Sequence, residues 1–515
     1  MDAPAHGPGP RTDRPERPRK ALVAGSVGNF IEWYEFGVYG YFATVIAARF
    51  FTPEGGSEAE ALVRTYASFA LAFFFRPVGA ALFGRLGDRV GRRPVLILVI
   101  VLMTAATTLI GVLPTYATVG ALAPWLLTLL RVVQGLSTGG EFGGAVSVMT
   151  EFAPPGRRGL YGSWQSFTVA LGLLGGAGAA ALLATLLTGA QLNSWGWRLP
   201  FLLTLPMGLG ALWLRLRLDE TPSFQALQAT QALQATQAAQ TLQSRRSLAA
   251  GESNEVDETS ETAEATDTVE TVETVEVSRA GQPPERPPAR EVAKAIALGA
   301  GRVMGWAAAG YTFLVVLPSY LQSSLNATFQ QALVATVLAN LGFAATIIPA
   351  GLLSDRIGRR PVMLTGALLV TVLAVPLLNL LQDEGTSTAL KGAAVFLAGA
   401  IVGLMAGPGP AMLSEMFPTS VRYTGLGLAY AVSNAVFSGC AGLIITETIE
   451  RTGSVDIPAY YAAATCAVSV LALLTLREQP TASEDGRMRN ENGPDNRLHL
   501  TKEPHDRNGT TEKRS

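Results

Sequence analysis

Long stretches of this chain carry almost no charge, and each is about the length of a bilayer crossing. A membrane helix needs roughly 20 mainly apolar residues. Six such runs precede the middle of the chain, at about residues 21–48, 61–84, 95–113, 121–150, 160–187 and 197–214. Six more follow, at about residues 292–321, 332–353, 362–381, 392–413, 425–446 and 460–476. The 515 residues are 49% hydrophobic and only 15% charged, against about 25% charged in soluble domains. Lipid cannot satisfy an open backbone, so each run is expected as a continuous helix. The basic stretch Arg11 to Lys20 leads into the first run without a cleavage site, which reads as a first membrane span.

Several functional classes are disfavoured at once. A net charge of −1 provides no basic field for a nucleic acid. Cys440 and Cys466 both lie in apolar runs and no CxxC spacing exists, so neither a disulfide framework nor a metal site is indicated. The GxxxxGK[ST] phosphate loop of an ATPase is absent. No nucleophile–base constellation stands out, so the chain is not expected to be an enzyme and no cofactor is expected.

The two halves repeat each other. Gly84-x-x-x-Asp88-Arg89-x-Gly91-Arg92-Arg93 recurs 267 residues later as Gly351-x-x-x-Asp355-Arg356-x-Gly358-Arg359-Arg360. Glu151-x-x-Pro154 followed by Arg158 matches Glu415-x-x-Pro418 followed by Arg422, at an offset of 264. The fold class is therefore an all-α membrane protein with twelve transmembrane helices in two pseudo-symmetric six-helix bundles, at 21–217 and 291–477. Paired repeats of this kind place a transported solute between the halves near the bilayer midplane. Basic residues concentrate in alternate loops, which puts both termini and the central loop on the cytoplasmic side of a cell membrane. The tail 1–20, the linker 218–290 and the tail 478–515 read as cytoplasmic and largely disordered; the linker repeats QALQAT and then turns acidic and free of aromatics. A linker-binding protein is the minor alternative to a spacer.

Ionisable residues within membrane spans are costly and default to functional hypotheses. In the first span, Asn29, Glu32, Glu35 and Tyr39 lie close to one helical face. The second carries Arg76 on the face of Tyr66 and Phe73. The fourth carries the polar stripe Arg131, Gln134, Thr138 and Glu141. The seventh has Arg302 with Trp306 four residues on, and the eleventh has Tyr430 and Asn434. These stripes are expected to line a polar cavity. Burial raises a carboxyl pKa and a nearby arginine lowers it, so moving an arginine in or out of contact loads and releases a proton. Glu32 or Glu35 is the expected proton carrier, Arg131 its partner, and Glu141 a further coupling candidate; a static buried ion pair is the competing reading. Gly84, Asp88, Arg89, Gly91, Arg92, Arg93, Glu151 and Arg158, with Asp355, Arg356, Gly358, Arg359, Arg360, Glu415 and Arg422, are expected to form a cytoplasmic gate in which an Asp pairs with arginine or sits at a helix N-terminus. Gly172, Gly175, Gly176 and Gly178 provide a small-residue surface for close helix packing. Tyr39, Tyr66, Phe73 and Trp306 follow the polar faces and offer aromatic surfaces to a quaternary ammonium.

The repeated Asp/Arg motif resembles that of the major facilitator superfamily. Within it, GNFIEWYEFGVYGY (28–41), FRPVGAALFGRLGDRVGRRP (75–94), QGLSTGGEFGGA (134–145), SWGWRLPF (194–201), DETPSF (219–224) and LLSDRIGRRP (352–361) resemble the metabolite:proton symporter family. The resemblance covers about residues 20–224 and 291–478. PSYL (318–321) and TVGALAPWLL (118–127) look most like proline and betaine carriers, which implies proton-coupled import of a small polar osmolyte. The acid usually seen as Asp in the first span is Glu35 here. A carboxylate such as 2-oxoglutarate, citrate or shikimate remains an alternative substrate. A proton-coupled drug exporter and a membrane sensor built on the linker are further readings; the absence of proline from 172–180 counts against the exporter.

Overall fold

The computed structural model describes residues 17–53, 56–90, 92–139, 142–143, 146, 149–150, 153–216, 288–418 and 421–476. The tails, the linker over 217–287, Gly91, Glu141 and Glu151 lie outside the described residues, as do the side chains of Gly84, Asp88, Arg89, Arg92 and Arg93. The described residues form helices and no strands.

Twelve spans run in order. The first half contains α1 (Arg17–Tyr41, continued by Ala43–Ile46 and Ala47–Phe51), α2 (Glu58–Val90), α3 (Arg92–Val112), α4 (Leu122–Thr138), α5 (Arg158–Leu186) and α6 (Leu199–Leu216). The second contains α7 (Ala289–Tyr311, continued by Thr312–Val316 and Leu317–Leu325), α8 (Phe329–Ile357), α9 (Arg359–Gln382), α10 (Thr388–Ala406 and Gly409–Met416), α11 (Arg422–Ser433, Asn434–Gly439 and Ala441–Thr452) and α12 (Ile457–Leu474). Among the described residues, ten helical stretches are long and apolar enough to cross a membrane on their own, and α1 and α4 complete the set. Large apolar side chains such as Trp125, Leu186 and Leu471 point outward, as lipid-facing surfaces require. The halves meet along α5–α8, α2–α11 and α1–α7.

Four spans depart from the expected continuous helices. Wide π-type turns end α1 at Ala47–Phe51 and interrupt α7 at Thr312–Val316 and α11 at Asn434–Gly439. The turns in α1 and α7 are 265 residues apart, within two residues of the sequence-repeat offsets of 264 and 267. In α7 the Thr312 hydroxyl donates to the Ala308 carbonyl at 2.8 Å, and in α11 the Asn434 amide donates to the Tyr430 carbonyl at 3.0 Å. Each side chain competes with the backbone for the carbonyl four residues back, which loosens the helical ladder. The fourth break, in α10, follows from Gly407-Pro408-Gly409-Pro410, where two prolines lack the donor N–H. Irregular backbone at membrane depth is tolerated where protein covers it; Thr312 to Val316 are all buried.

Glycines set the closest crossings. A Cβ on Gly135 of α4 would overlap the carbonyl oxygen of Ala72 in α2, and one on Gly79 of α2 would overlap that of Leu136. In the second half Gly399 of α10 and Gly342 of α8 meet Ala339 and Phe396 in the same way. Of the small-residue surface on α5, Gly172, Gly175 and Gly176 pack against α1, whereas Gly178 faces open space.

Candidate functional site

Among the described residues, the first half buries two carboxylates and two guanidinium groups at its centre. Glu32, Glu35, Arg76 and Arg131 are all buried. Arg76 Nη2 lies 3.2 Å from Glu32 Oε1. Arg131 reaches Glu35 through a relay: Arg131 Nη1 donates to Gln134 Oε1 (2.7 Å), Gln134 Nε2 to Thr107 Oγ1 (2.6 Å), and Thr107 Oγ1 to Glu35 Oε2 (2.8 Å). The helical stripe of α4 thus puts Arg131 and Gln134 together, as their three-residue spacing predicts. Arg76, expected as a cavity residue, pairs with Glu32, and Thr107 of α3 is a relay member that the sequence reading missed. Its hydroxyl also lies 3.0 Å from its own Met103 carbonyl, a local bond common to membrane threonines, so no signal in α3 singles it out.

Aromatic rings enclose both cations. Arg131 sits 4.1 Å from the Tyr39 ring centroid and 4.9 Å from that of Phe36; Arg76 sits 4.2 Å from Phe73 and 4.5 Å from Phe36. Cation–π attraction strengthens when the pair is desolvated. Tyr39 and Phe73 therefore serve the protein's own arginines. Tyr66 lies further out, where its hydroxyl pairs with Ser319. Of the four proposed aromatic surfaces, Trp306 lines the central cavity.

That cavity, of about 30 Å³, lies between the halves. Trp33 and Ser166 line it from the first half, and Trp306, Tyr311, Tyr430 and Asn434 from the second. Tyr430 stacks on Phe142 at 3.4 Å between centroids. Other candidates are placed elsewhere. The Asn29 amide donates to Gln165 O and Thr168 Oγ1, joining α1 to α5. Thr138 donates to the Gly135 carbonyl of its own helix. Arg302 turns toward the end of α12, donating to Ala472 O and Thr475 Oγ1.

The two halves bond to each other on both sides of the cavity. At the end bearing the basic loops, the Asp355 carboxylate of α8 accepts from the backbone N–H groups of Gly159 (2.7 Å) and Leu160 (2.8 Å) in the first turn of α5. Arg359 bridges Asp355 (2.6 Å) and Glu415 (3.2 Å). The carboxylate thus both pairs with arginine and caps a helix of the other half, where orphan N–H groups and the helix dipole favour an anion. Arg422 donates to the Phe417 carbonyl, while Arg158 and Arg356 are exposed. At the opposite end, Tyr66–Ser319 (2.6 Å), Thr44–Gln322 (3.1 Å) and Tyr41–Asn340 (3.3 Å) bond across the halves.

Asp355→Asn should weaken the latch by about 1.5–3 kcal/mol, the usual worth of charged hydrogen bonds. Hydrogen exchange of residues 158–163 is expected to quicken by about tenfold or more. Unchanged exchange there would remove Asp355 from the latch.

Two six-helix halves packed around a central cavity define a membrane transporter of the major facilitator type. The chain belongs to the family described as "Sugar (and other) transporter", whose profile matches residues 20–480. It is 31% identical to the proline/betaine transporter of Escherichia coli (strain K12), over 89% of this chain and 83% of that protein. It is 32% identical to the ectoine/proline transporter ProP of Corynebacterium glutamicum, over 90% of this chain and 85% of that protein. The xylose transporter XylE from E. coli, in a partially occluded inward open conformation, shares the fold at a TM-score of 0.65, with 18% identity over 90% of this chain and 99% of that one.

Proposed function

We propose that this transporter imports a small zwitterionic osmolyte, of the proline or glycine betaine kind, together with a proton. The observation that carries the reading is the set, among the described residues, of two buried carboxylates and two buried guanidinium groups in one half, behind a cavity that Trp306, Tyr311, Tyr430 and Asn434 line from the other. Leaving one buried charge without its partner costs about 3–5 kcal/mol. Protonating one glutamate frees one arginine and incurs that cost; a solute carboxylate removes it. Proton and carboxylate then bind cooperatively, which is the thermodynamic content of symport. The solute's cationic group is left to face Trp306 and Tyr430, a surface suited to a quaternary or secondary ammonium.

In this reading Glu35 is the proton carrier and Arg131 its partner through Gln134 and Thr107. No cofactor takes part; the proton is the coupling ion. The membrane is the cell membrane, and the Asp355–Arg359 latch faces the cytoplasm with both termini, following the basic loops. A dicarboxylate such as 2-oxoglutarate fits less well, since one proton frees one arginine and a dianion needs two.

Uptake of labelled proline, glycine betaine and 2-oxoglutarate into liposomes tests this. With an inward proton gradient the two zwitterions should accumulate and a protonophore should abolish the accumulation. Accumulation of 2-oxoglutarate alone would overturn the osmolyte reading.

A further inference from the structure

Among the described residues that line the cavity, one fully buried polar side-chain atom has no hydrogen-bond partner in the protein. Ser166 donates to the Ala406 carbonyl at 2.7 Å, and Ser438 donates to Asn434 Oδ1 at 2.9 Å while Asn434 itself donates to the Tyr430 carbonyl. The Tyr311 hydroxyl, in contrast, is buried without a hydrogen-bond partner, and Tyr311 lines the cavity. A buried unsatisfied hydroxyl costs about 1–3 kcal/mol, a penalty a binding site retains when a ligand relieves it. The ring is held firmly: it contacts Trp33 at 6.1 Å, Phe69 at 6.1 Å and Phe73 edge-on at 5.5 Å between centroids. Phe73 in turn carries Arg76 on its face at 4.2 Å. Arg76 also keeps its buried Nε without a hydrogen-bond partner. Tyr311 therefore sits where the second half meets the charged centre of the first.

We infer that the Tyr311 hydroxyl is the donor that reads the carboxylate of the transported solute from the second half. This rests on the symport reading above. A fixed donor of this kind rejects analogues that lack the anionic acceptor, because their binding leaves the hydroxyl unpaired. It also ties solute binding to both halves: the carboxylate meets the arginine side of one and the tyrosine of the other. The substrate class it selects is a monocarboxylate zwitterion over the matching amide or alcohol.

The test uses full-length protein in lipid nanodiscs, with Trp33 and Trp306 in the cavity wall reporting binding by fluorescence. Proline is compared with prolinamide, which keeps the ring and the amine but replaces the carboxylate by a neutral group. Tyr311→Phe removes the hydroxyl and leaves the ring contacts. It should weaken proline binding by about tenfold or more, the loss of a hydrogen bond to a charged group, with little change for prolinamide and an unaltered proton-to-solute ratio in uptake. Tyr311→His, which keeps a ring donor, should hold proline affinity within about threefold of wild type. An unchanged proline-to-prolinamide ratio in Tyr311→Phe overturns the assignment, and equal losses in both variants mark a packing role and overturn it as well. Failure of the wild-type protein to bind or carry either zwitterion overturns instead the symport reading on which the assignment rests.

Discussion

Glu35→Gln is expected to abolish proton-driven accumulation while leaving solute exchange intact. A gradient of two pH units is worth about 2.7 kcal/mol per proton, enough to concentrate a cotransported solute about a hundredfold. A carrier that cannot take up the proton has no access to that free energy, so the internal-to-external ratio should fall to about one. The substitution is mild in structure. Glu35 Oε2 accepts from Thr107 at 2.8 Å, and a glutamine carbonyl oxygen still accepts there, though without the strength a charged acceptor adds. Insertion and counterflow of labelled against unlabelled solute should therefore survive within about tenfold. Glu32→Gln separates the two carboxylates. Glu32 is held at 3.2 Å by Arg76, and its replacement should weaken binding more than it uncouples transport. Accumulation lost in Glu32→Gln and retained in Glu35→Gln would move the carrier to Glu32. Full accumulation in both would exclude the pair.

How far the site was legible depends on whether a feature lives on one helix or between two. The α4 stripe is a single-helix property: residues three apart share a face, and Arg131 does hydrogen-bond to Gln134 at 2.7 Å. The duplicated fold was legible for the same reason, since motif offsets of 264 and 267 need no knowledge of packing. Pairing across helices was not. Nothing in the spacing says that Arg76 of α2 meets Glu32 of α1, or that Thr107 of α3 reaches Glu35, because the rotation of each helix about its axis is set by its neighbours. Arg302 shares a helical face with Trp306, yet its long stem carries the guanidinium to the end of α12, as extended cationic chains commonly do. Tyr311 was missed because a tyrosine in an apolar run reads as packing; only the unpaired hydroxyl distinguishes it. The breaks in α1, α7 and α11 were hidden too, since a π-type turn changes no hydropathy.

Gly135→Ala should be among the most damaging single-methyl changes in the bundle. The added Cβ at Gly135 would overlap the Ala72 carbonyl oxygen, and both atoms are fixed in place by helix backbone and have no rotamer to yield. Overpacking in a core costs about 1–3 kcal/mol when side chains can shift, so a clash between two main chains belongs at or above the top of that range. The consequence reaches the chemistry: Gly135 follows Gln134 directly, and Arg131 lies one turn before it. Forcing α4 away from α2 therefore separates the relay from the Glu32–Arg76 pair. The repeat makes the same prediction for Gly399→Ala, whose Cβ would overlap the Ala339 carbonyl at the matching crossing of the second half, 264 residues on. Gly178→Ala is the control, since nothing lies within 4 Å of its added Cβ. Thermal unfolding in detergent, followed by the loss of the monodisperse chromatographic peak, should show a large drop for both crossing variants and none for Gly178→Ala. Gly399→Ala should lower stability but leave the Arg131–Gln134 relay in register, so its surviving folded fraction should still accumulate solute. The folded fraction of Gly135→Ala should not. Equal coupling in the two folded fractions would separate the α2–α4 crossing from proton transfer and leave it a purely structural seam.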